Sequence, residues 1–318
     1  MAPDASAHPG ATVPPPPNVH GDLEHEQRAA AAAARARAAR ASRRRRSFSS
    51  KTTTYVLLVI GALIVLFPIY VLVVDSLLPN NQIFTPSPVL FPTHPAWSNY
   101  SSAFSEFHFG LYLKNSVIQT LVIVSAQLVT SVLAAYAFVF LRFPFRRTLF
   151  MLVLATVMIP FEVTVVTNLT TVRSLGWDGS FLGLTVPFFA TGFGIFLMRQ
   201  AFLGIPKELK EASVIDGLGP MKFLWRIAIP LTRPVIAALA VFSFLGAWNQ
   251  YLWPSLLTDN PAGQNIRTAQ IGLGIIGGDS ATAGIGLAAA VVSLAPLVIL
   301  LIFFRKNLIR SLTAGAVK

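Results

Sequence analysis

Six windows of the chain run almost free of charged residues, at 53–74, 116–140, 148–169, 181–198, 235–257 and 285–304. A helix rises about 1.5 Å per residue, so roughly 20 apolar residues match the hydrocarbon core of a bilayer. Each window therefore predicts a spanning helix. The third holds one carboxylate, Glu162, the fourth is short, and glycines blur the start of the sixth. The composition agrees: 54% of the 318 residues are hydrophobic and 12% charged, against about 25% charged in soluble domains. The fold class expected is an all-α membrane protein. The chain has no cysteine, which excludes disulfides, thiolate metal sites and cysteine nucleophiles.

Six spans place both termini on one side, and the basic residues choose which. Of 25 lysines and arginines, nine precede Thr53, three lie in the 141–147 turn, six in the 199–233 loop and four in the C-terminal tail. Only Lys114, Arg173 and Arg267 fall on the other face. This bias predicts cytoplasmic termini in a bacterial plasma membrane. The first apolar stretch is too long and too late for a signal peptide and lacks a small-residue cleavage site, so it reads as a retained span.

Three regions follow: a tail at 1–52, a six-span domain at 53–304 and a second tail at 305–318. The first tail, with Pro14–Pro17 and Arg43–Arg46, has too little apolar surface to pack, so disorder is expected. Its 29–46 stretch is either a basic helix lying on anionic headgroups or a topology signal alone. The net charge of +12 does not indicate nucleic acid, because no aromatic residues interleave with the arginines.

The outer loops carry little chemistry. Gly272, Gly274 and Gly277 have a GxGxxG spacing, but no strand precedes them and no acidic residue follows as a dinucleotide site requires. His94 and His108 stand outside any H-E-x-x-H or other catalytic spacing. The sequons at Asn99 and Asn168 are weak, the second lying in or beside a span.

The loop between spans four and five differs from everything around it. Pro206 suits a first helical turn, and Glu208 there opposes the helix dipole favourably. The helix continues through Glu211, Ala212 and Ile215 to Gly217, a residue fit for a C-terminal cap. Gly219-Pro220 then starts a second helix with Phe223, Leu224, Ile227 and Ala228 on one stripe, ended by Pro230 and Pro234. The pattern predicts a helical elbow, polar outward and apolar toward the spans. An interfacial connector with no further role is the alternative.

The run Glu211-Ala212-Ser213, three residues to Gly217 and nine more to Ile227, ending Ile229-Pro230, resembles the EAA loop of binding-protein-dependent ABC importer permeases. Ser213 stands where the commonest pattern has a third alanine, and Leu218 where it has the alanine after glycine. Arg199-Gln200, "WNQYLWP" at 248–254 and the terminal "GAVK" fit the same family, and the resemblance extends over nearly all of the chain after Thr53. "MIPFEVTVV" at 158–166 with "WNQYLWP" resembles the glycerol-3-phosphate or glycerophosphodiester subgroup, with glycerophosphocholine one such solute.

The resemblance implies a coupling helix that docks into a groove of a cytoplasmic ATPase, with Glu211, Ala212, Asp216, Gly217, Ile227 and Pro230 at the contact. It implies a second homologous permease forming a heterodimer, two ATPase subunits and an extracytoplasmic solute-binding protein. No G-x-x-x-x-G-K-[S/T] run occurs, so ATP and Mg are expected on the ATPase subunits and no cofactor on this chain. Alternating access around a site in the membrane is the implied mechanism.

Glu162 is the one carboxylate well inside a window, a functional candidate by default. On straight spans, Glu162 and Asn249 lie at similar depth, each about 21–22 Å along its helix. Gln250 with Trp248, Tyr251 and Trp253 would add polar donors and aromatic faces suited to a polyol or a quaternary ammonium. Interfacial anchoring is the alternative for the aromatic residues. Rival functions are a permease for a neutral mono- or oligosaccharide, a secondary transporter without ATPase subunits, and a membrane-embedded enzyme. A secondary transporter calls for several intramembrane charges where one is found.

Overall fold

The computed structural model describes residues 53–314, and among these there is helix but no strand. The chain divides into two compact units, Met1–Ile69 and Tyr70–Lys318. The described part of the first unit, 53–69, is helical and exposed on every side. It belongs to helix α1 (Thr53–Asp75), whose large apolar residues, among them Leu57, Leu63 and Ile64, are exposed. A helix that is apolar all round belongs in a lipid or fully buried setting.

The second unit is built around α4 (Phe109–Phe140), about 48 Å long at the standard rise. Against it pack α8 (Gly192–Leu203) and α11 (Ile229–Trp248), and α11 in turn packs on α14 (Ala283–Ala314). The α4–α8 crossing is close because both sides are small there. A Cβ on Gly194 would stand 2.3 Å from Ser131 Oγ, so a larger residue would force the helices or Ser131 to shift; small residues at such crossings are common between membrane helices.

Among the described residues four helices are long and apolar enough to cross a membrane, and two bent helix pairs bring the number to as many as six. The third window is the sharper departure from a straight rod. It forms α5 (Arg146–Val157) and α6 (Phe161–Ser174), bent by 101° at Met158–Pro160. Pro160 supplies no donor to the preceding turn and disfavours helical backbone at Ile159.

The fourth window forms α7 (Phe181–Thr185), a 3₁₀ turn (Val186–Phe188) and α8, bent by 43°. Two carbonyls at this break find partners on α4. Gln127 Nε2 of α4 donates to Phe188 O at 2.9 Å and Thr130 Oγ1 to Phe189 O at 2.8 Å. Irregular backbone in a membrane protein needs such internal partners.

The fifth span corrects the sequence reading at both ends. Pro230 and Pro234 do not end a helix: α10 (Pro220–Phe223) runs through a π turn (Leu224–Ala228) into α11, one apolar rod over Pro220–Trp248. The π turn widens the helix just before Pro230, whose ring would otherwise meet the Arg226 carbonyl. At the other end the helix stops at Trp248 rather than at 257. Pro254 cannot donate to Gln250 O in a continuing helix, so the chain restarts as α12 (Leu252–Thr258) with Pro254 in its first turn.

The segments between the long helices are held by side-chain hydrogen bonds. After the short α2 (Asn80–Ile83) comes α3 (Ser98–Ser105), whose Asn99 is buried and donates to Ser76 O and Leu78 O at 3.0 and 2.9 Å, which leaves its amide occupied by the fold. Gly272 and Gly274 sit on α13 (Ala269–Gly277), and a Cβ at Gly272 would stand 2.4 Å from the Tyr112 ring. That glycine answers to helix packing and not to a nucleotide. The tails at 1–52 and 315–318 lie outside the described residues.

Candidate functional site

The elbow is a short helix held rigidly against the ends of two spans. Helix α9 (Lys207–Ile215) begins after Pro206 with Glu208 in its first turn. It ends in a complete Schellman turn. Gly217 N donates to Val214 O at 3.0 Å, Leu218 N to Ser213 O at 2.8 Å, and Gly217 has φ +71°. Asp216 caps the helix with its N–H on Ala212 O at 2.9 Å. Gly219 and Pro220 then open α10 at once.

Its inner side is well packed. Phe223, Leu224 and Ala228 are buried with Tyr136, Met198 and Phe202 in one apolar cluster. The Phe140 and Phe223 rings meet edge to face, 5.2 Å between centroids. Tyr136 OH donates to Pro220 O at 2.7 Å. Lys210 Nζ donates to Phe140 O at 3.1 Å, a cation at the C-terminus of α4, where the helix dipole favours it. Ser213, where the commoner pattern has alanine, is buried and donates through Oγ to Lys210 O at 2.6 Å.

The six coupling candidates divide between the two sides. Glu211, Ala212, Asp216 and Gly217 face outward, whereas Ile227 and Pro230 are half-buried on the inner side. The outer face is also less polar than expected. Ile215 is 86% exposed and Val214 66%, with Met221 and Trp225 exposed beyond the turn. Trp225 falls off the apolar stripe formed by Phe223, Leu224, Ile227 and Ala228. That offset was the available signal. Apolar residues rimmed by carboxylates mark a protein contact more than a solvated connector.

The residues grouped in sequence as a substrate path differ in their surroundings, although Phe161, beside Glu162, meets Trp253 with 6.0 Å between ring centroids. Glu162 is exposed in the first turn of α6, and the 101° bend removes the straight-helix depth that matched it with Asn249. Asn249 is exposed and turns Nδ2 back onto Leu245 O at 2.9 Å. Tyr251 is exposed. Trp248 is buried and stacked on Phe244, 5.7 Å between centroids with 8° between planes. Trp253 is 1% exposed, donates through Nε1 to Gly183 O at 3.0 Å, and meets Phe161 and Phe188 edge to face. It is a packing residue and not an interfacial anchor.

Of that set, Gln250 lines a cavity of about 260 Å³ between α4, α8 and α11. Gln127, Thr191, Ser243 and Gly246 share its wall with Ile123, Phe188, Phe193 and Phe242. Gln250 Oε1 accepts from Gln119 Nε2 at 2.6 Å, and Gln119 is buried. Sequence reading passed over Gln119, Gln127 and Ser243. Their signal was their polarity inside otherwise apolar windows. The cavity wall bears amides, hydroxyls and aromatic rings and no charge.

The long apolar helices, the two bent helix pairs and the short helix α9 point to one class of protein. The model of the binding-protein-dependent transport system inner membrane component family matches residues 127–314, and the chain belongs to that family, as a multi-pass permease of an ABC importer. Among individual relatives, the sn-glycerol-3-phosphate transport system permease protein UgpE of Yersinia pestis bv. Antiqua (strain Antiqua) is 35% identical over 271 residues, 81% of this chain and 94% of the relative. The protein of the same description from Pectobacterium atrosepticum is 37% identical over 260 residues, 79% and 92% of the two chains. That from Agrobacterium fabrum is 40% identical over 211 residues, 64% and 75%. A chain of a bacterial ABC transporter involved in the import of the acidic polysaccharide alginate superposes with a TM-score of 0.69 at 24% identity, over 80% of this chain and 94% of that one. It shares the fold.

Proposed function

We propose that this chain is the permease half of an ATP-driven importer for glycerol-3-phosphate or a glycerophosphodiester, coupled to its ATPase through the α9 elbow. The single observation behind the coupling role is the elbow itself. It is clamped to α4 and α11 on the inside, closed by a Schellman turn, and presents Glu211, Val214, Ile215 and Asp216 outward. A rigid body of this kind transmits displacement to the spans rather than absorbing it. The relatives carry glycerol-3-phosphate in their names, which supports that substrate class over a neutral sugar.

On this reading two ATPase subunits lie beneath the membrane, a second permease completes the pathway, and a solute-binding protein delivers from outside. ATP and Mg belong to the ATPase subunits. Both termini are cytoplasmic in a bacterial plasma membrane. Gln127, Ser243 and Gln250 would meet the polyol part of the solute. With no cation on that wall, the phosphate would be neutralised by the second permease.

The test is purification of the tagged chain from its own membranes in mild detergent, followed by mass spectrometry and by uptake assays in proteoliposomes of the recovered complex. Co-purification of an ATPase and a second permease, with uptake of labelled glycerol-3-phosphate, is expected. Recovery of the chain alone across several detergents would point instead to a transporter without ATPase subunits. Uptake of a neutral sugar in preference to glycerol-3-phosphate would overturn the substrate.

A further inference from the structure

Between α4, α5 and α8, away from the solute cavity, three arginines border one recess, and Arg146 also borders the groove lined by Glu211, Val214 and Ile215 of α9. Arg146, Arg147 and Arg199 line a recess of about 250 Å³ together with Phe138, Phe150 and Met151. No carboxylate lies on that wall. Like charges gathered without a counterion repel one another, and an anion bound among them would relieve that repulsion.

The groups are placed for one. The Arg199 guanidinium lies 4.2 Å from the centroid of the Phe150 ring, an arrangement that fixes its plane. Its Nε is buried and has no hydrogen-bond partner, an unpaired donor on a cation, which is costly to leave unmet. Arg146 uses Nη1 on Leu141 O at 3.1 Å, which leaves its other N–H groups to donate. Arg146 and Arg147 occupy the first turn of α5, which carries no carboxylate. Two cations at a helix N-terminus oppose the dipole, so a bound anion would offset both effects.

Charge chooses an anion, and the surroundings choose its carrier. Leu149, Met151 and Leu152 on the same helix are exposed and apolar, at the point where a membrane segment begins. A phosphate whose acyl chains run along such a surface has both ends satisfied. Basic pockets between spanning helices suit lipid headgroups for this reason. We propose that the Arg146/Arg147/Arg199 recess binds the headgroup phosphate of an anionic phospholipid. The recess rests on the proposed orientation only for the leaflet from which the lipid comes.

The experiment uses the full chain in phosphatidylcholine nanodiscs with increasing phosphatidylglycerol, reading bound lipid by native mass spectrometry and the thermal unfolding midpoint in parallel. The wild-type chain should retain phosphatidylglycerol in preference to phosphatidylcholine and unfold later in its presence. Arg199→Gln and Arg147→Gln should each weaken that retention about tenfold, the loss of one charge-assisted hydrogen bond. Arg147 is exposed, so its variant leaves the fold intact if Arg199→Gln does not. Arg233→Gln removes an exposed cation outside the recess and should change nothing.

Wild-type retention in both recess variants would overturn the proposal, and so would equal loss in Arg233→Gln, which would mean diffuse surface charge. Equal retention of phosphatidylcholine would exclude an anionic headgroup. Displacement of the lipid by millimolar inorganic phosphate would reassign the recess to a soluble phosphate. None of these readouts depends on uptake, so the transport reading stands or falls separately.

Discussion

At Gly217 the backbone stands at φ +71° with nothing within 4 Å of where a Cβ would be. A side chain there costs about 1–2 kcal/mol through the left-handed backbone alone, most for a β-branched residue. Gly217→Val should therefore insert and express normally while distorting the elbow, lowering uptake at least tenfold in proteoliposomes. Gly217→Asn, which tolerates that conformation, should keep most of the uptake. Equal uptake in both variants and wild type would remove the elbow from the coupling path. Glu211→Lys reverses a charge on the outward face and should lower ATPase co-purification with no change in the unfolding midpoint of the isolated chain. The role of Gly217 was legible in sequence because glycine after a helical run has a local cause. Trp253 was not, since only the fold brings Gly183 O within 3.0 Å of its Nε1.

Elements carry the next level, and here the breaks matter more than the helices. Thr130→Val deletes the donor to Phe189 O at the bend of span four, leaving a carbonyl unmet at a cost of about 1–3 kcal/mol. A clear fall in the thermal unfolding midpoint should follow, and an unchanged midpoint would show that another group takes the carbonyl. The α4–α8 crossing offers a second check. Gly194→Ala places a methyl 2.3 Å from Ser131 Oγ and should destabilise by about 1–3 kcal/mol, as overpacking does. Ser131→Gly in the same chain should recover part of that loss, because the two residues share one contact. Windows of apolar residues foretold where helices lie, since helix length and burial are both local properties. They did not foretell a 101° bend, although Pro160 was visible. A proline inside a membrane helix either kinks it or breaks it, and the neighbours that re-satisfy the backbone decide which.

For the whole molecule the leading prediction concerns sidedness. The chain lacks cysteine, so single-cysteine labelling needs no background removal. Ser105 and Glu208 are exposed near opposite ends of α4, the first just before Phe109 and the second on the helix that Lys210 ties to Phe140. An impermeant maleimide should label Ser105→Cys in intact spheroplasts and Glu208→Cys only in inside-out vesicles stripped of ATPase. The reverse pattern would invert the proposed topology and move the elbow to the outer surface.

The sequence by itself determined the membrane class, the positions of the apolar helices and the elbow with its closing glycine. Each of these follows from residues close together in the chain: a run long enough to cross a bilayer, a proline at a helix start, a glycine at its end. The tertiary structure alone decided which residues meet. It bent the segment that carries Glu162 by 101° and left Pro230 half-buried inside a continuous helix. It also placed Gln250 beside Gln127 and Ser243, and drew Arg199 over Phe150 beside Arg146 and Arg147. Those relations depend on the angle at each break and on how closely helices cross. Both are set by packing between segments far apart in sequence, where periodicity and propensity carry no information.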